Sequence, residues 1–142
     1  MDKLQLARLA LEARERAYAP YSHFKVGAAV LTRNGGIYQG CNVENASYGA
    51  SICAERAAAL RAVYEGEREF RAVAVAGFSD GSAPGEAPYS FPCGVCRQFL
   101  REFCSPEEMA VYVVRSLDDI AEYTLEELLP CSFGPESLAR QE

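Results

Sequence analysis

The chain has 142 residues, of which 49% are hydrophobic and 11% aromatic, and its formal net charge is −6. This length suits one domain with a sizeable buried core, and the hydrophobic fraction is that of a folded globular protein rather than a disordered one. The acidic balance weighs against a nucleic-acid-binding protein, which normally presents a basic face. We therefore predict a single catalytic domain over residues 1–142.

The N-terminal segment carries charges throughout, "MDKLQLARLALEARERAYAP", in place of the apolar core of a signal peptide. No apolar run approaches the roughly 20 residues that cross a bilayer. We therefore expect a cytoplasmic protein that does not bind membranes. In that setting its six cysteines should be reduced thiols, although an even number leaves disulfides open as an alternative.

The first elements are predicted to be a helix and a hairpin. Apolar residues recur near helical spacing over residues 3–18, which predicts an amphipathic helix that Pro20 ends. "FKVGAAVLT" (24–32) is typical of a buried strand. "RNGG" indicates a hairpin turn, and a second strand returns over residues 36–44.

A loop of small residues follows the hairpin over residues 45–51 and leads into a second helix. We expect this helix over residues 52–65, with Ser51 as its N-cap and Gly66 as its stop.

The second half of the chain again alternates strands with helices. It predicts a strand over 71–79, a Gly/Pro/Ser-rich loop up to residue 92, a helix over 93–103 and a strand over 109–115. Thr124 and Glu127 form a capping-box pattern that begins a short helix, which Pro130 closes. Such alternation predicts an α/β sandwich, with one mixed sheet and helices packed on it.

Three cysteines stand where two of the predicted helices begin: Cys53 in "SICAER", and Cys93 with Cys96 in "FPCGVC". Helix N-termini carry unpaired N–H groups and positive dipole ends, which favour the thiolate form that binds metal. Cys93 and Cys96 are three residues apart and share a helix face. Three protein ligands leave a fourth position for water, which is the pattern of a catalytic zinc site.

Glu55 lies two residues after Cys53, so its carboxylate should stand near the metal without binding it. A carboxylate there can take a proton from a zinc-bound water and pass it to a substrate nitrogen. The pattern C-A-E … P-C-x-x-C is the three-cysteine form of the zinc deaminase signature. Three thiolates leave the zinc site negatively charged, and we expect Arg56 or Arg97 to compensate this charge.

Two other interpretations of the cysteines stay open. A redox C-x2-C pair would leave Cys53 unexplained, and a closed structural zinc site would need Cys41 or Cys104 as a fourth ligand. Without such a role, Cys41, Cys104 and Cys131 are predicted to be small buried residues. The single histidine, His23, is predicted to be a turn residue.

Four stretches in this order resemble the small, homotetrameric, zinc-dependent cytidine deaminases: "YAPYSHFKVGAAV", "GCNVENASYGASICAERAA", "FPCGVCRQFL" and "LLPCSFGP". The resemblance implies a three-layer α/β sandwich whose five-stranded mixed sheet carries helices on both faces. It implies one Zn²⁺ per subunit on Cys53, Cys93 and Cys96, with Glu55 as the proton shuttle. The implied reaction is hydrolytic deamination of cytidine and deoxycytidine to uridine and deoxyuridine, with release of ammonia, in pyrimidine salvage.

The resemblance also implies a nucleoside pocket that subunits share. Asn42 and Glu44 would hydrogen-bond the ribose, although the alternation along this strand fits a solvated face equally well. The other implied contacts are Phe24 with the pyrimidine, the Ala54 backbone with the base, and Tyr48 and Phe133 with a neighbouring subunit's pocket.

Two alternative functions remain. One is a deaminase of a related nucleoside analogue of the blasticidin S type. The other is a polynucleotide-editing or RNA-binding module, which the acidic charge and the lack of a basic-aromatic stretch oppose.

Overall fold

The structure is a computed structural model that describes residues 3–83 and 86–138. Its strands are β1 (Phe24–Thr32), β2 (Ile37–Cys41), β3 (Phe70–Ser79), β4 (Ala110–Ser116) and β5 (Asp119–Thr124). They form one five-stranded sheet in the order β2-β1-β3-β4-β5. β3 and β4 pair in parallel, and all other neighbours are antiparallel, so the sheet is mixed.

The part of the chain that the structure describes contains four α-helices around this sheet: α1 (Lys3–Arg14), α2 (Ala54–Tyr64), α3 (Gly94–Arg101) and α4 (Leu125–Leu128). Short 3-10 turns occur at Tyr48–Ala50 and Pro135–Leu138. Within the described ranges, no helix combines the length and the apolar character that a bilayer crossing requires.

Alternating side chains along the strands divide the core into two halves. Ala28 and Val30 of β1 face the cluster that holds α2, α3 and α4, whereas Ala29 faces the cluster that holds α1. This period of two is the strand geometry itself, because successive side chains point to opposite faces. Helices therefore cover both faces, which confirms the predicted three-layer α/β sandwich.

Two glycines let the helices approach the sheet closely. A Cβ on Gly27 would lie 2.1 Å from the Ala10 carbonyl oxygen of α1, and one on Gly40 would lie 2.4 Å from the Ala58 nitrogen of α2. Neither position tolerates a side chain without backbone movement. The contact at Gly40 fixes the height of α2 above the sheet, and α2 begins beside Cys53.

The predicted elements are found, but several boundaries are wrong. The first helix ends at Arg14 rather than near residue 18, so Pro20 is not its stop. Its buried face includes Leu6 and Ala10, while Leu4 is exposed. The second strand stops at Cys41. The Asn42 N–H still donates to the Val26 carbonyl of β1 at 3.1 Å, but Val43 makes isolated bridges to Tyr18 and Ile52 instead.

The N-cap of α2 is Cys53 rather than the predicted Ser51. The Ser51 hydroxyl instead accepts a hydrogen bond from the Asn45 N–H at 3.1 Å, which folds the preceding loop. Gly66 follows α2 with a φ of 95°, a conformation that favours glycine, as predicted for a helix stop.

The capping box is also confirmed. The Glu127 N–H donates to Thr124 Oγ1 at 3.1 Å, and the Thr124 N–H donates to Glu127 Oε1 at 2.8 Å.

His23 takes a φ of 59° in a turn, as predicted. The prediction of a buried Cys131 is wrong, because this residue is exposed and has a φ of 54°.

Candidate active site

The N-termini of α2 and α3 meet at the candidate site. Cys53 is the N-cap of α2 and Cys93 is the N-cap of α3, both with extended backbone and neither making a side-chain cap hydrogen bond. Cys96 follows in the first turn of α3, where it is buried. Three thiols thus stand at the positive ends of two helices, which stabilise thiolates.

The three sulfur atoms are close enough to share one ion. Cys53 Sγ lies 4.0 Å from Cys93 Sγ, and Cys93 Sγ lies 3.6 Å from Cys96 Sγ. All three lie within 4.8 Å of one another. Zinc–sulfur bonds of about 2.3 Å in a tetrahedron would separate the sulfurs by about 3.8 Å. The donor set therefore fits a zinc ion.

No fourth side chain joins this cluster among residues 3–83 and 86–138. Cys41 instead donates to the Arg16 carbonyl at 3.4 Å, and burial raises the pKa of Cys104 to about 12. The structure therefore gives no support to the closed structural site. It matches the three-ligand arrangement in which one coordination position stays open for a water molecule or a substrate.

The electrostatics of the cluster are dominated by contacts among the thiols and Arg56. A hydrogen bond from Cys96, together with the nearby Arg56, lowers the pKa of Cys53 below its usual value. The hydrogen bond between the two thiols, together with burial, raises the pKa of Cys96. Arg56 Nη2 lies 3.6 Å from Cys53 Sγ, within hydrogen-bond distance of sulfur. This contact places a positive charge beside the thiols.

Arg97 has different partners. Its Nε donates to the Pro92 carbonyl and its Nη1 donates to the Leu128 carbonyl, both at 2.7 Å. These bonds tie α3 to the loop before it and to the end of α4. Of the two arginines, the described contacts place only Arg56 against a thiol sulfur.

Glu55 lies beside the sulfur cluster in the first turn of α2 and is only 4% exposed. Burial raises the pKa of its carboxyl to about 7, with a smaller contribution from the charge of Cys53. A carboxyl with such a pKa can both accept and donate a proton near neutrality, which is what a proton shuttle requires.

A cavity of about 580 Å³ opens over Cys53, Cys93 and Glu55. Asn42 and Glu44, which follow β2, line this cavity together with Ala54. The Asn42 amide is fixed by β1, because Oδ1 accepts from the Val26 N–H at 2.8 Å and Nδ2 donates to the Phe24 carbonyl at 2.9 Å.

The Glu44 carboxylate is held by the turn before β1. Its Oε1 accepts from the N–H groups of Tyr21 at 3.0 Å and Ser22 at 3.1 Å, and its Oε2 accepts from the Ser22 hydroxyl. The hydroxyl bond lowers the pKa of Glu44, so this side chain is an anion at neutral pH. A fixed carboxylate at the mouth of a cavity is a ready acceptor for a ligand hydroxyl.

Comparison with known proteins identifies the family. The family model described as "Cytidine and deoxycytidylate deaminase zinc-binding region" matches residues 1–113. The chain belongs to this deaminase family.

Named relatives match over nearly the whole chain. The cytidine deaminase of Sporosarcina psychrophila is 47% identical over 139 residues, covering 98% of this chain and 96% of that protein. The cytidine deaminase of Halalkalibacterium halodurans is 44% identical, covering 97% and 98%. A crystal structure of the Burkholderia pseudomallei enzyme superimposes with a TM-score of 0.82 at 43% identity, covering 94% of this chain and 100% of that one.

The aromatic residues that family resemblance implicates lie in three different places. Tyr48 lines the cavity and is 77% exposed. The Phe24 ring lies near Gly77, beside Val26 and Ser90. Phe24 is not among the residues that line the cavity. Phe133 is 58% exposed and lies outside the cavity of its own chain.

Sequence reasoning missed several cavity residues. Tyr21 and Ser22 line it because their backbone binds Glu44, and Val26 and Phe91 form apolar wall. The sequence gives no sign that Ser22 is a partner of Glu44, because 22 residues separate them and no local pattern links them. Phe91 lies two residues before Cys93, but its position gives no sign of a pocket, because a phenylalanine is usually a buried core residue.

Proposed function

We propose that this deaminase hydrolyses cytidine and deoxycytidine to uridine and deoxyuridine, with release of ammonia. The single observation that carries this proposal is the cluster of three thiol sulfurs within 4.8 Å, beside the buried carboxyl of Glu55. Relatives that match almost the whole chain are named cytidine deaminases, which favours this substrate over a nucleoside analogue.

Cys53, Cys93 and Cys96 would hold the zinc ion, and Arg56 would temper the negative charge of the thiolates. A bound zinc ion would supply Lewis acidity that makes a water molecule nucleophilic toward C4 of the base. Glu55 accepts the proton that this water loses and donates it to N3 of the pyrimidine. Glu55 then carries the second proton of the water to the amino nitrogen, which leaves as ammonia.

Asn42 and Glu44 would bind the ribose hydroxyls, and the Ala54 backbone would contact the base. The Glu44 carboxylate already accepts three hydrogen bonds from the 21–22 turn, so it needs little reorganisation to receive a sugar hydroxyl. A bond from a neutral hydroxyl to an ionised carboxylate is short and strong. A site built around such a bond should discriminate against analogues that lack the hydroxyl.

The charge of the cavity favours free nucleosides over deoxycytidylate or a polynucleotide. Its described lining contains Glu44, Glu55 and thiols, and no Lys, Arg or His. A 5′-phosphate would therefore enter a negative field without a cationic partner, at an electrostatic cost. The net charge of −6 would likewise repel the phosphates of a polynucleotide.

We further propose a homotetramer with shared active sites, in which Phe133 reaches a neighbouring subunit's pocket and Tyr48, which also lines the cavity of its own chain, does the same. Phe133 is well placed for this, because α3 fixes its backbone while its ring stays exposed. Gln98 Nε2 donates to the Phe133 carbonyl at 2.9 Å, and Arg101 binds Ser132 Oγ before it, at 2.7 Å, and the Glu136 carboxylate after it. The very exposed Tyr64 of α2 also suits burial in an assembly.

We propose that the enzyme is a single domain that works in the cytoplasm, in pyrimidine salvage. The described cysteines are all free thiols. Zinc-binding thiols persist in a reducing compartment. One continuous sheet connects the described elements.

Replacing Glu55 by Gln tests the proposed reaction. The amide keeps the shape of the side chain but cannot shuttle protons, so we expect bound zinc to remain near one ion per chain. Cytidine-dependent ammonia release should fall by about 10³-fold. Metal analysis and an ammonia assay give both readouts, and near-normal turnover in this variant would remove Glu55 from the mechanism.

A further inference from the structure

Phe91 places an aromatic ring near the cysteines, at the end of the cavity where zinc would bind, which we call the zinc end. It lines the cavity together with Cys93, two residues later, and is 40% exposed. The two other aromatic residues of the described lining, Tyr21 and Tyr48, contact each other with ring centroids 6.2 Å apart. They belong to the Glu44 end, because the Tyr21 N–H binds that carboxylate.

Two tyrosines support the Phe91 ring from behind. The Tyr123 ring of β5 lies 5.5 Å from it at an interplanar angle of 62°, and the Tyr89 ring lies 6.3 Å from it at 55°. Both tyrosines also pack on the hydrophobic core beneath α2. Such tilted and edge-to-face contacts are favourable for aromatic pairs.

Tyr89 is in turn fastened to the β4–β5 hairpin. Its hydroxyl donates to Asp119 Oδ1, and Arg115 Nη1 lies 3.4 Å from Asp119 Oδ2. The Arg115 guanidinium carbon stands 4.8 Å from the centroid of the Tyr89 ring. Asp119 and Tyr123 are four residues apart on β5, so one strand face supplies both the hydrogen-bond acceptor and the aromatic support.

We propose that Phe91 packs against the pyrimidine base, and that Tyr89 and Asp119 are positioning residues that hold its ring in place. The inference rests on the proposed function, because the base must lie at the zinc end for its C4 to react. Without an anchor, Phe91 would lie in a stretch, residues 86–92, that the structure describes as having no helix or strand before α3. The hairpin contacts remove that freedom before the substrate arrives, which lowers the entropic cost of binding.

The expected kinetic signature is a change in KM. An apolar wall contacts the base in the ground state and in the transition state alike, so its loss weakens both equally and leaves kcat nearly unchanged. Phe91→Leu should raise KM for cytidine about tenfold, with zinc content unchanged. An unaltered KM in this variant would overturn the assignment of Phe91 to the base.

A direct binding test uses the absence of tryptophan from the chain. Phe91→Trp places a single indole in the cavity, and titration of the zinc-loaded enzyme with uridine should change its emission saturably. Leu117→Trp is the matched control, because this exposed residue lies between β4 and β5 and outside the cavity lining. Its emission should not respond. An indole at residue 91 that ignores saturating uridine would contradict the contact.

The positioning role is tested at Asp119. Asp119→Ala and Tyr89→Phe each break the hydroxyl bond and should raise KM about threefold to tenfold, with kcat within about twofold. Asp119→Asn keeps a carbonyl acceptor for the tyrosine and should restore KM, although it loses the ion pair with Arg115. Equal KM values for the Ala and Asn variants would mean that the hydrogen bond does not position the ring.

These outcomes separate the inference from the proposed function. If the wild-type enzyme releases no ammonia from cytidine while the indole at residue 91 still responds to uridine, the reaction is misassigned but the base contact stands. If the wild-type enzyme deaminates cytidine while Phe91→Leu keeps its KM and the indole stays silent, the inference alone fails.

Discussion

At the scale of single residues, the site depends on a few side chains whose charge is set by their neighbours. Glu55 is kept protonatable by burial, whereas Glu44 is kept ionised by the Ser22 hydroxyl. The two carboxyls thus suit different tasks, proton transfer for one and hydroxyl binding for the other. Their environments separate their pKa values, which is the usual way in which two like groups are given two roles.

Arg56 is the residue with which this charge balance can be tested. It lies 3.6 Å from Cys53 Sγ and carries a charge opposite to that of the thiolates. Removing it in Arg56→Ala should lower kcat or zinc affinity about 10-fold to 100-fold, the range for residues that support metal ligands. The measurements are competition with a chromogenic chelator and the pH–rate profile.

Arg97→Ala is the matched control for Arg56→Ala. Arg97 bonds two backbone carbonyls, so its loss should lower the melting temperature while leaving zinc affinity close to wild type. If Arg56→Ala left turnover, zinc affinity and the pH–rate profile unchanged, charge compensation by Arg56 would be wrong.

At the scale of the elements, the site exists because two helices begin at the same place. Cys53 is the N-cap of α2, which contributes Glu55, and Cys93 is the N-cap of α3, which contributes Cys96. The distance between their N-termini is fixed by how closely each helix packs on the sheet. For α2, that packing includes direct backbone contact at Gly40 of β2.

Gly40→Ala should therefore disturb the metal site from a distance. The new Cβ would lie 2.4 Å from the Ala58 nitrogen and 2.8 Å from the Ala54 carbonyl oxygen, so α2 must move. We expect a loss of stability of about 1–3 kcal/mol, typical of overpacking, together with weaker zinc binding. Chemical denaturation and zinc competition measure the two effects.

Gly49→Ala is the control for this substitution, because a Cβ there meets no atom within 4 Å. Its stability should change by less than about 0.5 kcal/mol. A Gly40→Ala protein as stable as Gly49→Ala, with unchanged zinc affinity, would show that the backbone contact does not seat α2.

At the scale of the whole molecule, a bound zinc ion would join the two helices that carry the site. Three thiols crowd into one place, and without a cation their ionised forms repel one another. Removal of zinc by a chelator should therefore lower the melting temperature by several degrees, and added zinc should restore it in a concentration-dependent way. If the apoprotein and the zinc-bound protein had the same melting temperature, the proposal that the metal joins α2 and α3 would be wrong.

Phe133 tests the assembly on the same scale. Its ring is exposed and its backbone is held by α3, so Phe133→Ala removes apolar surface with little effect on its own subunit. We expect weaker association, seen by sedimentation, and a KM raised about tenfold. Leu138→Ala is a control at another exposed position. A dilute wild-type monomer with full activity would exclude a pocket shared between subunits.

The proposed chemistry of this protein can be inferred from short stretches of sequence. Cys53 with Glu55, and Cys93 with Cys96, lie close in sequence near the starts of two helices, so their spacing alone is enough to propose metal ligands and a proton shuttle. The same is true of β1 and of the Thr124 capping box, which depend on residues near in sequence.

The surroundings of those residues depend on long-range packing and become visible in the folded chain. β5 was not predicted from pattern, because its polar and apolar residues acquire order only when β4 supplies the hydrogen bonds. The hydrogen bond between Ser22 and Glu44 joins residues 22 positions apart, and the one between Tyr89 and Asp119 joins residues 30 positions apart. Local propensity contains no information about such pairings, since they form when the packed sheet brings distant segments together.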